Sequence, residues 1–102
     1  AVNQATTDHG ATPLHIAARQ GHSELLSLLI GGGAAVNQAR TDFGATPLYA
    51  AACNDHTEVA RLLIDSGGAV NQAKTNDGTT PLYVAAQKGH AKVACLLIDS
   101  GG

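Results

Sequence analysis

A fixed period constrains this chain more than any other feature. Thr12-Pro13-Leu14-His15 returns as Thr46-Pro47-Leu48-Tyr49 and as Thr80-Pro81-Leu82-Tyr83, 34 residues apart each time. Val2-Asn3-Gln4-Ala5 recurs in phase as Val36-Asn37-Gln38-Ala39 and Val70-Asn71-Gln72-Ala73. Three such units account for all 102 residues. A period of roughly 20–50 residues marks a stacked-repeat architecture, in which each unit buries its apolar face only against its neighbours. The period therefore predicts a row of like units rather than one central core. Function is to be sought where the copies differ.

Within a unit, Val-Asn-Gln-Ala leads through polar residues to a glycine. The three versions are Thr6-Thr7-Asp8-His9-Gly10, Arg40-Thr41-Asp42-Phe43-Gly44 and Lys74-Thr75-Asn76-Asp77-Gly78. Asp, Asn and Gly at that density predict a hairpin-like turn whose glycine takes positive φ, with flanks too short for a proper sheet. Thr-Pro then starts a helix. The threonine hydroxyl accepts from an orphaned amide of the first turn, and proline fits the first helical position, where a missing N–H costs nothing. This helix is short, and its paired alanines (Ala17-Ala18, Ala51-Ala52, Ala85-Ala86) favour helix and let a neighbour approach closely. Gly21-His22 and Gly89-His90 end it, glycine being the usual left-handed terminator. The second helix covers 24–30, 58–64 and 92–98, with apolar residues at i, i+3 and i+4 opposite a charged face. Glycines follow it each time.

Composition narrows the function. Small aliphatic residues dominate the apolar set, with one Phe, two Tyr and no Trp, which suits thin layers of closely packed helices. A net charge of −2 argues against a polybasic nucleic-acid surface, since phosphate binding needs clustered Lys and Arg. No apolar run approaches the roughly 18–20 residues of a membrane helix, so neither nucleic acid nor membrane is an expected partner. Cys53 and Cys95 sit at different phases of the repeat and read as two buried thiols acting as small hydrophobes. That predicts a reducing, intracellular setting, cytoplasmic or nuclear.

Gly-Ala-Thr-Pro-Leu-His-Ile-Ala-Ala-Arg-Gln-Gly-His at residues 10–22 resembles the ankyrin repeat motif Gly-x-Thr-Pro-Leu-His-x-Ala-Ala-x-x-Gly-His, and Leu28-Leu29 and Val36-Asn37 supply the later landmarks. The resemblance covers the whole chain in three in-phase copies. It implies an all-α fold: an α-solenoid of three stacked helix-turn-helix units with projecting hairpin loops. It also implies a concave face, built from loop tips and first helices, that binds another protein. The expected organisation is a single domain over 1–102, with repeats 1–35, 36–69 and 70–102 and no evident capping repeat.

The departures from the motif carry expectations of their own. The family unit is usually 33 residues, and the surplus residue falls in the loop between Asn3 and Gly10 and its equivalents. Tyr49 and Tyr83 replace the motif histidine, which puts its usual bonds to the cap threonine and the adjacent loop in question there. Asp55 stands where glycine is expected, which predicts the most strained turn. The apolar second helix of the last copy and the in-register return from Gly102 to Ala1 predict head-to-tail self-association through uncapped ends. They also fit a structural or spacer fragment of a longer array, or an engineered scaffold without its own ligand. Differences between copies at Ile16, Ala50 and Val84, read as scaffold positions, lean against a strict consensus design.

Chemistry beyond binding finds little footing. His22, His56 and His90 share one phase, and the resemblance makes them structural residues of the inter-helix turn. Equivalent positions on successive units lie roughly 10 Å apart, too far to share a zinc ion bound at about 2 Å. No metal or other cofactor is expected. No nucleophile is paired with a base, and Asp8, Asp42, Glu24 and Glu58 read as solvated, so the chain reads as a non-enzyme.

Binding is read from the variable positions. His9, Phe43 and Asp77 share one phase of the loop tip beside Asp8 and Asp42, and Arg40 and Lys74 share another with Thr6. Ala11, Ala45 and Thr79 follow the glycine. Arg19 and Gln20, Cys53 and Asn54, and Gln87 and Lys88 close the first helices. These, Cys53 apart, are the candidate partner-binding residues. Phe43, the single phenylalanine, is the sharpest of them, because aromatic and Arg anchors dominate binding energies.

Overall fold

The structure is a computed structural model that describes residues 10–40 and 43–101. Six α-helices lie along it in three pairs: α1 (Pro13–Gln20) with α2 (Ser23–Gly31), α3 (Pro47–Cys53) with α4 (Thr57–Asp65), and α5 (Pro81–Lys88) with α6 (Ala91–Asp99). No strand occurs among the described residues. The stack of helix pairs expected from the period is what forms.

The pairs stack in two rows. α1 packs on α3 and α3 on α5, while α2 packs on α4 and α4 on α6. The first helices touch more extensively than the second ones, because their interface is made of alanine. Ala17, Ala18, Ala51, Ala52 and Ala85 are all buried to 1% exposure or less. The row is thus drawn together on the first-helix side. Between the rows Leu14, Leu26, Leu48, Val59, Leu63, Val93 and Leu97 are buried and join into one core running the length of the stack. Full burial of such a side chain contributes about 1.5–3 kcal/mol.

Each first helix starts as its sequence dictates. Thr12, Thr46 and Thr80 stand in extended conformation, and their side chains accept from the amides of His15, Tyr49 and Tyr83. Such a cap contributes about 1 kcal/mol. Only α1 adds the reciprocal bond, in which the Thr12 N–H donates to His15 Nδ1 at 3.0 Å. That bond requires a lone pair on Nδ1, so the ring proton lies on Nε2, which donates to the Ala45 carbonyl of the next unit at 3.2 Å.

The inter-helix turns differ in one copy, as Asp55 leads one to expect. Gly21 and Gly89 take φ of 79° and 74°, whereas Asp55 takes 60° and is the only non-glycine residue at positive φ among those described. α3 is correspondingly one residue shorter than α1 and α5. The Asn54 side chain closes it by donating to the Ala50 carbonyl at 2.8 Å.

Units are tied together by residues of fixed phase. His56 Nε2 donates to the Arg19 carbonyl at 2.9 Å, and His90 Nε2 to the Cys53 carbonyl at 3.3 Å. Both histidines therefore bond to backbone of the preceding unit, in keeping with their structural assignment. His22, in the first unit, meets the Gln20 side chain instead. Asn37 clamps the end of its own unit, accepting from the Ala69 amide at 2.7 Å and donating to the Gly67 carbonyl. Asn71 repeats the second bond to Gly101.

The cysteines correct an expectation. Both are free, Cys53 is only partly buried and Cys95 is exposed. Cys95 holds the phase of Ser27 and Arg61, both exposed, on the outward face of the second-helix row.

Candidate binding surface

The loops before α3 and α5 are built alike. The Arg40 N–H donates to the Ala45 carbonyl at 2.9 Å and the Gly44 N–H returns to the Arg40 carbonyl at 3.1 Å. In the next unit the Lys74 N–H donates to Thr79 at 2.8 Å and Gly78 N–H to Lys74 at 3.0 Å. Each is a two-rung hairpin, too short to register as strands. The hairpins also join one another, the Thr75 N–H donating to the Phe43 carbonyl at 2.9 Å. This approach demands Gly44, at φ 77°, because a Cβ there would stand 2.8 Å from the Thr75 amide nitrogen and closer still to its hydroxyl. The row of loops is therefore fixed beside the row of first helices.

Between the two rows lies a groove of about 190 Å³. Ile16, Ala50 and Cys53 contribute its apolar side, Phe43 and Tyr49 its aromatic side, and Arg19, Arg40 and Lys74 its charge. Phe43 is 52% exposed. The Lys74 ammonium sits over both rings, 5.4 Å from the Phe43 centroid and 5.0 Å from that of Tyr49. Such cation–π contacts contribute about 0.5–1 kcal/mol each at exposed sites. They hold the amine at the wall of the groove.

A short polar chain braces that wall. Tyr49 Oη lies 3.1 Å from Thr79 Oγ1, and the Thr79 hydroxyl donates to Asp77 Oδ1 at 2.8 Å. A carboxylate only accepts, so the threonine proton is committed to Asp77 and Tyr49 must donate to Thr79. Tyr49 thus replaces the lost histidine bond to the next loop by reaching its side chain instead of its backbone. The Thr79 amide also donates to Asp77, at 3.1 Å. Those two bonds, with Lys74 3.9 Å away, hold the Asp77 carboxyl below the ordinary carboxylate range.

Of the candidate residues, Ala11, Arg19, Arg40, Phe43, Ala45, Asn54 and Lys74 line the groove. Ala11 is 8% exposed and contributes only a small part of the wall. Asp77 and Thr79 belong to the bracing chain just outside the groove. Gln20, Gln87 and Lys88 are exposed at the ends of the first helices and do not line it. Asp8, His9 and Asp42 lie outside the described residues. The groove also takes in His15, Ile16, Tyr49, Ala50 and Cys53; of these, only Cys53 is among the varying helix-end positions. Helical spacing was the available signal: Ile16 is one turn before Arg19, and Ala50 one turn before Asn54. Two of the supposed scaffold differences, Ile16 and Ala50, are groove residues, while Val84 is buried at 4% exposure.

Among the described residues no group of three or more His, Cys, Asp or Glu side chains could hold a metal ion. No described helix is long and apolar enough to cross a membrane.

Stacked helix pairs, a row of linked loops and a groove between that row and the first helices define a repeat solenoid. A family model for ankyrin repeats, in three copies, matches residues 14–102. The chain belongs to the ankyrin repeat family. Members of that family are generally protein–protein interaction modules and generally not enzymes. No curated protein matches the chain in a sequence comparison.

Proposed function

We propose that this chain is a protein-interaction module whose concave groove receives a segment of another protein. The observation that carries the proposal is Phe43. A phenylalanine half-exposed on the lip of an apolar groove, backed by Lys74 and braced through Tyr49, is a pre-positioned anchor. Pre-positioning matters because ordering side chains on association costs about 0.5–1.5 kcal/mol each. The contact set comprises the groove residues named above. Gln20, Asp77, Thr79, Gln87 and Lys88 are proposed as its outer rim, Asp8, His9 and Asp42 as further contacts, and the partner as protein rather than nucleic acid. The unit boundaries 1–35, 36–69 and 70–102 are proposed with it. The setting proposed is intracellular, in line with two free thiols.

The test is selection of peptides from a random displayed library on the purified chain. Each selected peptide is then measured against Phe43→Ala and against Ala50→Trp, which fills the groove. Binding lost in both variants, with unchanged circular dichroism, supports the groove. Selected peptides that bind both variants as tightly as the parent chain, or a selection that enriches nothing, overturn it.

A second reading is favoured by the apolar exposure at both ends of the stack, with Leu28 at 70%, Ile98 at 58% and Tyr83 at 57%. We propose that the 102-residue chain taken alone also stacks head to tail. Sedimentation should then give a mass that rises with concentration. A concentration-independent monomer contradicts it.

A further inference from the structure

We infer that the partner residue entering the groove is an aromatic one with a hydrogen-bond donor on its edge, tryptophan or tyrosine. This rests on the groove reading above. The space suits one ring system. An apolar cavity of about 150 Å³ takes a benzene ring, and pockets for drug-sized ligands begin at about 300 Å³. This groove measures about 190 Å³. Ala50 makes the room, as the smallest of the phase-equivalent residues Ile16, Ala50 and Val84. Phe43 stands half-exposed on the same groove, so an incoming ring can lie against it offset or edge-on. Cys53 adds a polarizable sulfur, which ring edges meet favourably.

Asn54 selects the donor. It lines the groove, and its counterparts Gln20 and Lys88 do not. The Asn54 Nδ2 donates to the Ala50 carbonyl, one turn back, at 2.8 Å. A carbonyl only accepts, so the amide nitrogen must face Ala50 and Oδ1 must face away from it. That oxygen accepts from no described residue. A side chain seated in the groove therefore covers an acceptor whose orientation is already fixed. An aliphatic or phenylalanine side chain leaves it unpaired, which is costly once water is excluded. An indole N–H or a phenol O–H pairs it. A lysine or arginine tip also donates, but its charge would lose water against Ile16, Ala50 and Cys53. Arg19 lines the groove from the exposed end of α1, and its guanidinium forms no hydrogen bond or ion pair with a described residue. A guanidinium stacks on aromatic faces, best on tryptophan. The groove thus sets a cation against the negative face of a ring and a carbonyl oxygen against its donor edge, a charge pattern complementary to indole or phenol.

The selected library peptides provide the test. Relative to the input library, those that lose binding in Ala50→Trp should be enriched in tryptophan or tyrosine at one position. The chain has no tryptophan of its own, so emission from a peptide tryptophan should shift to the blue when it binds the parent chain. Benzothiophene in place of the indole keeps both rings and removes the N–H, and phenylalanine in place of tyrosine removes the O–H. Either replacement should weaken binding to the parent chain by about fivefold or more. On Asn54→Ala, an exposed position whose folding circular dichroism checks, the same replacement should cost less than about twofold. The comparison on the parent chain stands even if Asn54→Ala does not fold. No loss on the parent chain, an equal loss on folded Asn54→Ala, or unshifted emission overturns the proposal. Groove-dependent peptides enriched in aliphatic residues or phenylalanine also overturn it, but leave the groove standing. Peptides indifferent to Ala50→Trp overturn the groove itself.

Discussion

The His56 ring lies in the space that a side chain at Gly21 would fill. A Cβ on Gly21 would stand 2.6 Å from His56 Nδ1, while His56 Nε2 bonds to the Arg19 carbonyl two residues earlier. The glycine therefore serves two ends, one local and one between units. It takes the left-handed turn that ends α1, and it leaves room for the next unit's histidine to dock.

These two roles can be separated, because Gly89 has nearly the same φ but nothing within 4 Å of its Cβ position. Gly89→Ala should cost only the left-handed penalty, about 1–2 kcal/mol. Gly21→Ala should cost a further 1–3 kcal/mol or so, since the ring must shift and its bond weaken. Urea denaturation of both variants measures the difference. Equal costs would mean that the His56 contact carries no stability.

Asp55 should be improvable. It occupies a left-handed conformation that glycine adopts freely, and its contact with His90 at 3.7 Å leaves the carboxylate half-exposed, an arrangement that contributes about 0–1 kcal/mol. Asp55→Gly is expected to stabilise the chain by about 0.5–1 kcal/mol, raising Tm by a few degrees. A lower Tm by calorimetry would show that the His90 contact outweighs the strain.

Tyr49 and Thr79 should be energetically coupled. Tyr49→Phe and Thr79→Val each remove the bond between them, at a cost of about 0.5–1.5 kcal/mol. A double-mutant cycle should return a coupling of at least about 0.5 kcal/mol. Additive effects would mean that the loop and α3 are held by backbone contacts alone.

The Asp77 carboxyl should titrate below the ordinary value of about 3.9, because the Thr79 amide and hydroxyl and then Lys74 favour its charged form. A depressed folded-state value stabilises the fold above the unfolded pKa, and that contribution is lost as pH falls through the folded one. The effect is thus confined to acid and absent as a slope near neutrality. NMR titration of the carboxyl carbon checks it, and Thr79→Val should move the midpoint back up. A midpoint at or above the ordinary value contradicts the bonding described.

Much of the fold was legible because its signals are local. Thr12-Pro13 writes a cap and a first turn, Gly21 a stop, and the 34-residue period tells each helix what it packs against. The strain at Asp55 followed from residue type alone. The groove was half legible, since Phe43, Arg19, Arg40 and Lys74 differ between copies and line it. Ile16 and Ala50 were missed because groove walls depend on which helix face looks inward, and variation between copies does not report that. Tyr49 read as a lost histidine. Its new bond needs Thr79, thirty residues on, where a hydroxyl replaces alanine in the copy that receives it.

Whether the groove between loops and first helices receives the partner is read directly by titrating the ¹⁵N-labelled chain with a library-selected peptide and following amide chemical shifts. Binding in the groove predicts perturbations concentrated at Ile16, Arg19, Phe43, Tyr49, Ala50 and Cys53. Perturbations concentrated instead on the outward second helices, at Glu24, Arg61 and Cys95, would contradict it.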